Sequence, residues 1–223
     1  MRGGLWQGGA GWNSVLEVQN VVPVEERLAD ASVAERRGQY AAEVRRLIDA
    51  AFSVMRATGD IDPQVRDIVK TAGLSNQAFY RHFASKDALL MAVLADGQRQ
   101  LVDYLLARVR STSDPESQVR RWIEGVLAQA RNPAAAEATR PFAINGARLA
   151  DRYPDDLAAT RAELLTTLAP SVRALNGSED DASFVCELAL ARMNEAIAHR
   201  RRPNAQEVEH LVEFCLAGVR HGT

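Results

Sequence analysis

Lysine is nearly absent from this chain: of 27 basic side chains, only Lys70 and Lys86 are not arginine. Cysteine is scarce as well. Cys186 and Cys215 stand far apart in helical surroundings, which is neither a disulfide framework nor a zinc-ligand spacing, and a reducing cytoplasm is the expected location. The four histidines, His82, His199, His210 and His221, make no metal set with carboxylates; His210 and Glu213 lie one turn apart without further ligands in sequence reach. No serine or cysteine sits in a nucleophile motif. Catalytic residues, metals and cofactors are therefore not expected. No apolar run reaches the roughly 18 to 20 residues that cross a bilayer, so no membrane partner is expected. The opening "MRGGLWQGGAGWNSVLEVQN" lacks a basic start followed by an apolar stretch and does not read as a secretion signal. Strand-like alternation is missing throughout, which leaves an all-α chain.

The formal net charge of -2 offers no bulk attraction for nucleic acid. The local distribution differs. Between Gln64 and Lys86 the basic residues Arg66, Lys70, Arg81 and Lys86 face Asp67 alone, and a local patch governs a local contact. Residues 1 to 35 carry no sustained period and read as a flexible or loosely docked extension, in which Trp6 and Trp12 are odd. "AERRG", residues 34 to 38, is placed to lie as a short basic arm against a phosphate backbone. From Tyr40 to Thr58 the residues Val44, Leu47, Ile48, Ala51, Phe52 and Met55 follow helical steps of three and four. Gly59 ends that helix. Asp62 is expected to cap the next, with Pro63 in its first turn.

After an apolar face of Val65, Ile68 and Val69, "AGLS" breaks the pattern, and Gly73 suits the left-handed residue of a tight turn. Ser75 then caps a short helix to about Arg81, and Ser85 caps a long one to about residue 110. Two short helices joined by such a turn form a helix-turn-helix. Its second helix would place Ser75, Asn76, Gln77 and Ala78 in the major groove, where Asn and Gln can pair with adenine and a small residue can meet a thymine methyl. Phe79 and Phe83 share a face as anchors. Tyr80 and His82 are expected to donate to phosphates, and Lys86, in the first turn of the following helix, to attract one.

"VRDIVKTAGLS" followed by "FYRHFASKDALL", after an amphipathic helix ending in "ATG", resembles the DNA-binding domain of tetracycline-repressor (TetR) family transcriptional regulators over residues 43 to 90. Tyr80, His82, Phe83 and Lys86 meet the family's aromatic, basic and lysine positions. The chain departs from that pattern where "DPQV" replaces a hydroxyl at the start of the second helix, so that the hydroxyl's phosphate contact is either lost or taken over by Gln64, and where Val69 replaces a small residue.

The resemblance implies a helix-turn-helix domain over residues 36–85 and a helical ligand-binding and dimerisation domain over 86–223. It implies a homodimer that binds palindromic double-stranded operator DNA, most simply as a repressor, and a small-molecule effector that releases it. The last two helices would then build the dimer interface, through Leu188, Met193 and Ile197 on one stripe and Val208, Leu211, Val212 and Cys215 on the other. Trp122, Phe142, Asn145, Arg148 and Tyr153 are the candidates for an apolar ligand pocket with a few polar groups. The rival reading is a helical protein-binding adaptor without operator binding.

Overall fold

The computed structural model describes residues 23–221, and every regular element among them is helical. The ten helices among the described residues are α1 (Val24–Thr58), α2 (Val65–Ala72), α3 (Asn76–His82), α4 (Lys86–Val109), α5 (Pro115–Arg131), α6 (Pro133–Ile144), α7 (Gly146–Arg152), α8 (Pro154–Ala174), α9 (Glu179–Ala198) and α10 (Ala205–His221). The chain divides into one unit ending at Ala42 and another from Glu43 onward.

In the first unit, the described residues from Val24 form a helical run in which each residue is exposed. Residues 24–35, expected within an unpatterned extension, are thus helical. Their alanine, glutamate and arginine content favours a helix without an apolar stripe. Trp6 and Trp12 lie outside the described residues.

The second unit holds two apolar cores. One gathers Leu47, Ala51 and Met55 of α1, Ile68 and Val69 of α2, Phe79 of α3, Phe83 after it, and Leu89, Leu90 and Val93 of α4. The other gathers Val102, Leu105 and Val109 of α4 with the inward faces of α5, α8, α9 and α10. Helix α4 therefore belongs to both: its first turns pack in the helix-turn-helix core and its last turns in the C-terminal core.

Local chemistry explains most boundaries. Gly59 closes α1 at φ +73° and its N–H donates to Met55 O at 2.8 Å. Ser75 and Ser85 accept the N–H groups of Ala78 and Ala88, each at 3.1 Å, as N-caps of α3 and α4. Replacing Ser75 with alanine is expected to cost about 1 kcal/mol of stability, measured by denaturant melts in which Ser75→Asp should recover most of the loss.

One boundary differs from expectation. Asp62 does not cap α2; Gln64 occupies that position without a side-chain bond, because Asp62 is turned to Lys86 instead. Between Pro133 and Pro154 the chain is split into two helices, α6 and α7. The Asn145 side chain donates to Pro141 O at 2.8 Å, and its backbone, at φ -107° and ψ 15°, leaves the helical path between α6 and α7. Side-chain competition of this kind with the backbone ladder is how asparagine interrupts helices.

Candidate nucleic-acid interface

The turn between α2 and α3 is fixed from both ends. Gly73 sits at φ 62° and ψ 38°, its N–H donating to Lys70 O, while the Leu74 N–H donates to Val69 O at 2.9 Å. That pair closes α2 as a left-handed cap that a side chain would strain. Arg46 reaches across from α1 and donates Nη2 to Ala72 O at 2.5 Å and to Gly73 O at 3.1 Å. A Cβ on residue 73 would meet that guanidinium at 3.0 Å. The turn is thus held by backbone geometry and by one long-range arginine.

Helix α3 is short, and its stability comes from packing rather than propensity. Phe79 is fully buried and Phe83 nearly so, with ring centroids 6.0 Å apart. Tyr80 stays 61% exposed while its ring meets Phe79 edge-on at 5.1 Å. Its body is anchored and its hydroxyl end is free to reach outward. Ser75, Asn76 and Gln77 are all exposed. These three and Tyr80 form the open face of α3, and Gln64 is exposed at the start of α2.

Ala78 and His82 do not belong to that face. Ala78 is 6% exposed and packs inward. The His82 side chain is 1% exposed, with its Nε2 at 2.6 Å from Glu43 Oε2 on α1. The same carboxylate oxygen accepts Arg81 Nη2 at 2.5 Å. A carboxylate only accepts, so His82 Nε2 carries the proton in this pair. His82 and Arg81 together hold the Glu43 carboxyl below its usual range. The expected roles of Ala78 at a thymine methyl and of His82 at a phosphate are therefore corrected. The two are four residues apart, which puts both on one face of α3, turned away from the open one. His82 instead fixes α3 to α1.

Lys86 opens α4 and its Nζ lies 2.7 Å from Asp62 Oδ1. Asp62 also faces Arg148 Nη2 of α7 at 3.6 Å, and Arg148 Nη1 lies 3.6 Å from Asp60. Arg152 binds both oxygens of Asp87, at 2.6 and 2.7 Å. The neighbouring Tyr153 hydroxyl and Arg152 keep the Asp87 carboxyl below its usual range, while burial pushes the Tyr153 hydroxyl up to about 12. Phe142, Leu149, Tyr153 and Leu157 pack on the helix-turn-helix core. Residues of α6, α7 and α8 accordingly all reach this core, in addition to α4, which enters both cores.

That arrangement corrects the expected ligand pocket. Trp122 is wholly buried in the C-terminal core and donates Nε1–H to Thr167 Oγ1 at 2.7 Å. Asn145 is spent on Pro141 and on Gly59 O, and Arg148 on aspartates. The five residues divide between two places: four serve the junction and the fifth, Trp122, lies in the C-terminal core. The expected dimer stripes are likewise inward. Met193, Ile197, Val208, Leu211, Val212 and Cys215 are at most 9% exposed within the single chain, and Leu188 is half-buried against the same core. Burial pushes both cysteine thiols up to about 11, which keeps them unreactive. The large apolar residues left open on α9 and α10 are Phe184 and Phe214, 66% and 64% exposed.

Glu43 and Arg46 escaped the sequence reading. They lie three apart on α1, beside the buried Leu47 and Ala50, so the signal available was two charges bordering an apolar stripe.

A turn-linked helix pair, with one short helix sealed on its inner side and polar on its outer side, defines a helix-turn-helix DNA-binding protein. Residues 47–93 match the family of bacterial regulatory proteins described as the tetR family. The chain is 34% identical over 76 residues to the HTH-type transcriptional regulator BetI of Cronobacter sakazakii, covering 34% of this chain and 38% of that one. It is 30% identical over 139 residues to an uncharacterized HTH-type transcriptional regulator of Mycobacterium tuberculosis, covering 60% of this chain and 66% of that one. These matches thus span less than two thirds of either relative. A solved TetR-family transcriptional regulator from Streptomyces coelicolor superposes with a TM-score of 0.64 at 22% identity, over 85% of this chain and 96% of that one, and shares the fold. Residues 47–93 thus form a DNA-binding domain of the tetR family of bacterial regulatory proteins, and the chain is similar to regulators rather than to enzymes.

Proposed function

We propose that the chain acts in the cytoplasm as a ligand-responsive regulator, most simply a repressor, which binds a palindromic operator as a homodimer. The observation that carries this reading is the open face of α3: Ser75, Asn76, Gln77 and Tyr80 are exposed while Phe79 and His82 are locked inward. Asn76 and Gln77 are the base readers. Tyr80, Gln64 and Lys86 contact phosphates. Residues 36–85 form the DNA-binding domain, with α7 docked on it from the C-terminal part.

The dimer joins the outer faces of α9 and α10 through Phe184 and Phe214. A two-fold axis there would set the two copies of α3 one DNA turn apart, about 34–36 Å. Ligand bound among the C-terminal helices releases DNA by shifting α4, which enters both cores. Linkage then requires DNA to weaken ligand binding by the same factor, commonly about 1–3 kcal/mol.

The test is a gel shift with the promoters of the chain's own and neighbouring genes. Salt-sensitive binding to a palindrome supports the regulator, and no binding at low salt supports an adaptor. Within that assay the pairing of Lys86 has a consequence. A phosphate must displace Asp62 from the lysine, so Asp62→Asn should tighten binding to all duplexes by up to about fivefold, the scale of a partly exposed ion pair. The salt dependence should steepen at the same time. Unchanged affinity and slope would show that Lys86 does not meet DNA.

A further inference from the structure

Beside the end of α1 lies a cleft of about 120 Å³ with an unusual lining. Arg56, Thr58 and Gly59 form one side, Glu137 and Arg140 of α6 another, and Arg200 in the turn between α9 and α10 a third. Three arginines against one glutamate leave a formal excess of two positive charges. Several arginines elsewhere are matched by carboxylates at 2.5 to 2.9 Å, as Arg45, Arg81 and Arg152 are. Here they are not. Arg200 Nε lies 3.8 Å from Glu137 Oε1. Arg140 donates Nη2 to Ala198 O at a long 3.4 Å, and its buried Nε–H meets no acceptor among the described residues. Arg56 forms no ion pair among the described residues. Arg200 itself is held in place by the cap of α9: at φ 53° its N–H donates to Ile197 O at 3.1 Å, and the Arg201 N–H donates to Ala196 O at 2.7 Å.

We propose that this cleft binds a small dianion, a phosphate monoester or a short dicarboxylate, through Arg56, Arg140 and Arg200. Guanidinium forks match both oxyanions with paired hydrogen bonds. A buried donor without an acceptor is rare in folded chains, and the anion supplies the missing partner for Arg140. The space is well below the roughly 300 Å³ at which pockets for drug-sized apolar ligands begin, and its lining is polar, so a greasy effector is excluded. The site also has a structural reach. Gly59 O accepts from Asn145 between α6 and α7, and Asp60 and Asp62 follow it toward α2. A dianion here ties the end of α1 to α6 and to the α9–α10 turn, independently of whether DNA is bound.

The experiment is calorimetric titration and thermal melting of the full chain with inorganic phosphate and, separately, succinate, against chloride at equal ionic strength. One saturable site is expected, with a rise in melting temperature that follows its occupancy. Phosphate binding alone assigns the phosphate class and succinate binding alone the dicarboxylate class. Arg56→Gln and Arg140→Gln should each weaken binding at least about tenfold, while Arg99→Gln, an exposed arginine of α4, leaves it unchanged. If Arg140→Gln fails to fold, Arg56→Gln decides, because Arg56 lies in an exposed position. Three results would overturn the proposal: no saturable binding of either anion, non-saturating stabilisation equal in the variants, or saturable binding that survives in Arg56→Gln.

Discussion

Phe79→Ala is expected to destabilise the chain by about 3–5 kcal/mol, the range for truncating a fully buried aromatic. It should also abolish operator binding well below the melting temperature. Phe79 is the largest buried side chain of α3, and its ring supports both Phe83 and the edge of Tyr80. Without it, a seven-residue helix retains only the Ser75 cap, the inward Ala78 and the bonds of Arg81 and His82 to Glu43. Those are too few to hold an isolated helix of that length. Hydrogen exchange should therefore show the amides of α3 opening first, while α5 and α9, in the separate C-terminal core, keep their protection. Phe79→Leu, which keeps most of the apolar volume, should recover more than half of the stability. If Phe79→Ala melts like the parent and still binds DNA, the packing account of α3 is wrong.

The second large effect concerns association. Glutamate in place of both Phe184 and Phe214 is expected to convert a homodimer to a monomer in sedimentation, and to weaken operator binding by about a hundredfold or more, because two half-sites are then no longer bound together. The folded monomer should remain, since both rings are about two-thirds exposed and exposed positions tolerate charge. By contrast, Val212→Glu buries an unpaired carboxylate in the chain's own core and should unfold it. Loss of the dimer with an unchanged melt in the first case, and loss of the fold in the second, separates the outer face from the inner stripe. A parent chain that sediments as a monomer contradicts the homodimer.

The sequence disclosed what rests on short-range chemistry. Gly73 declares its left-handed turn, Ser75 and Ser85 declare their caps, and Phe79 with Phe83 declare a buried face, because each signal lies within four residues of the feature it produces. Contacts across the fold left weaker traces. Glu43 meets His82 and Arg46 meets Gly73 only after α1 has packed on α3. A histidine between exposed-looking neighbours therefore read as a surface donor, although its three-residue spacing from the anchor Phe79 already placed it beside the covered side. The apolar stripes of α9 and α10 read as an interface for the same reason. Periodicity reports that a face is buried, not by what, and here α5 and α8 of the same chain cover it. Phe184 and Phe214 were visible only as apolar residues out of phase with those stripes. The junction residues Phe142, Asn145, Arg148 and Tyr153 had the composition of a pocket lining, and nothing local distinguishes a pocket from a contact between two cores.

Base readout by α3 is tested most directly by measuring binding of the parent and of Gln77→Ala to a selected operator and to each of its single base-pair variants. The parent should discriminate at symmetric positions in both half-sites by about tenfold, the lower part of the range for one bidentate contact. Gln77→Ala should lose that discrimination at one pair per half-site and keep it elsewhere. A uniform loss across all variants, or a preferred site without two-fold symmetry, would contradict the placement of α3 in the major groove.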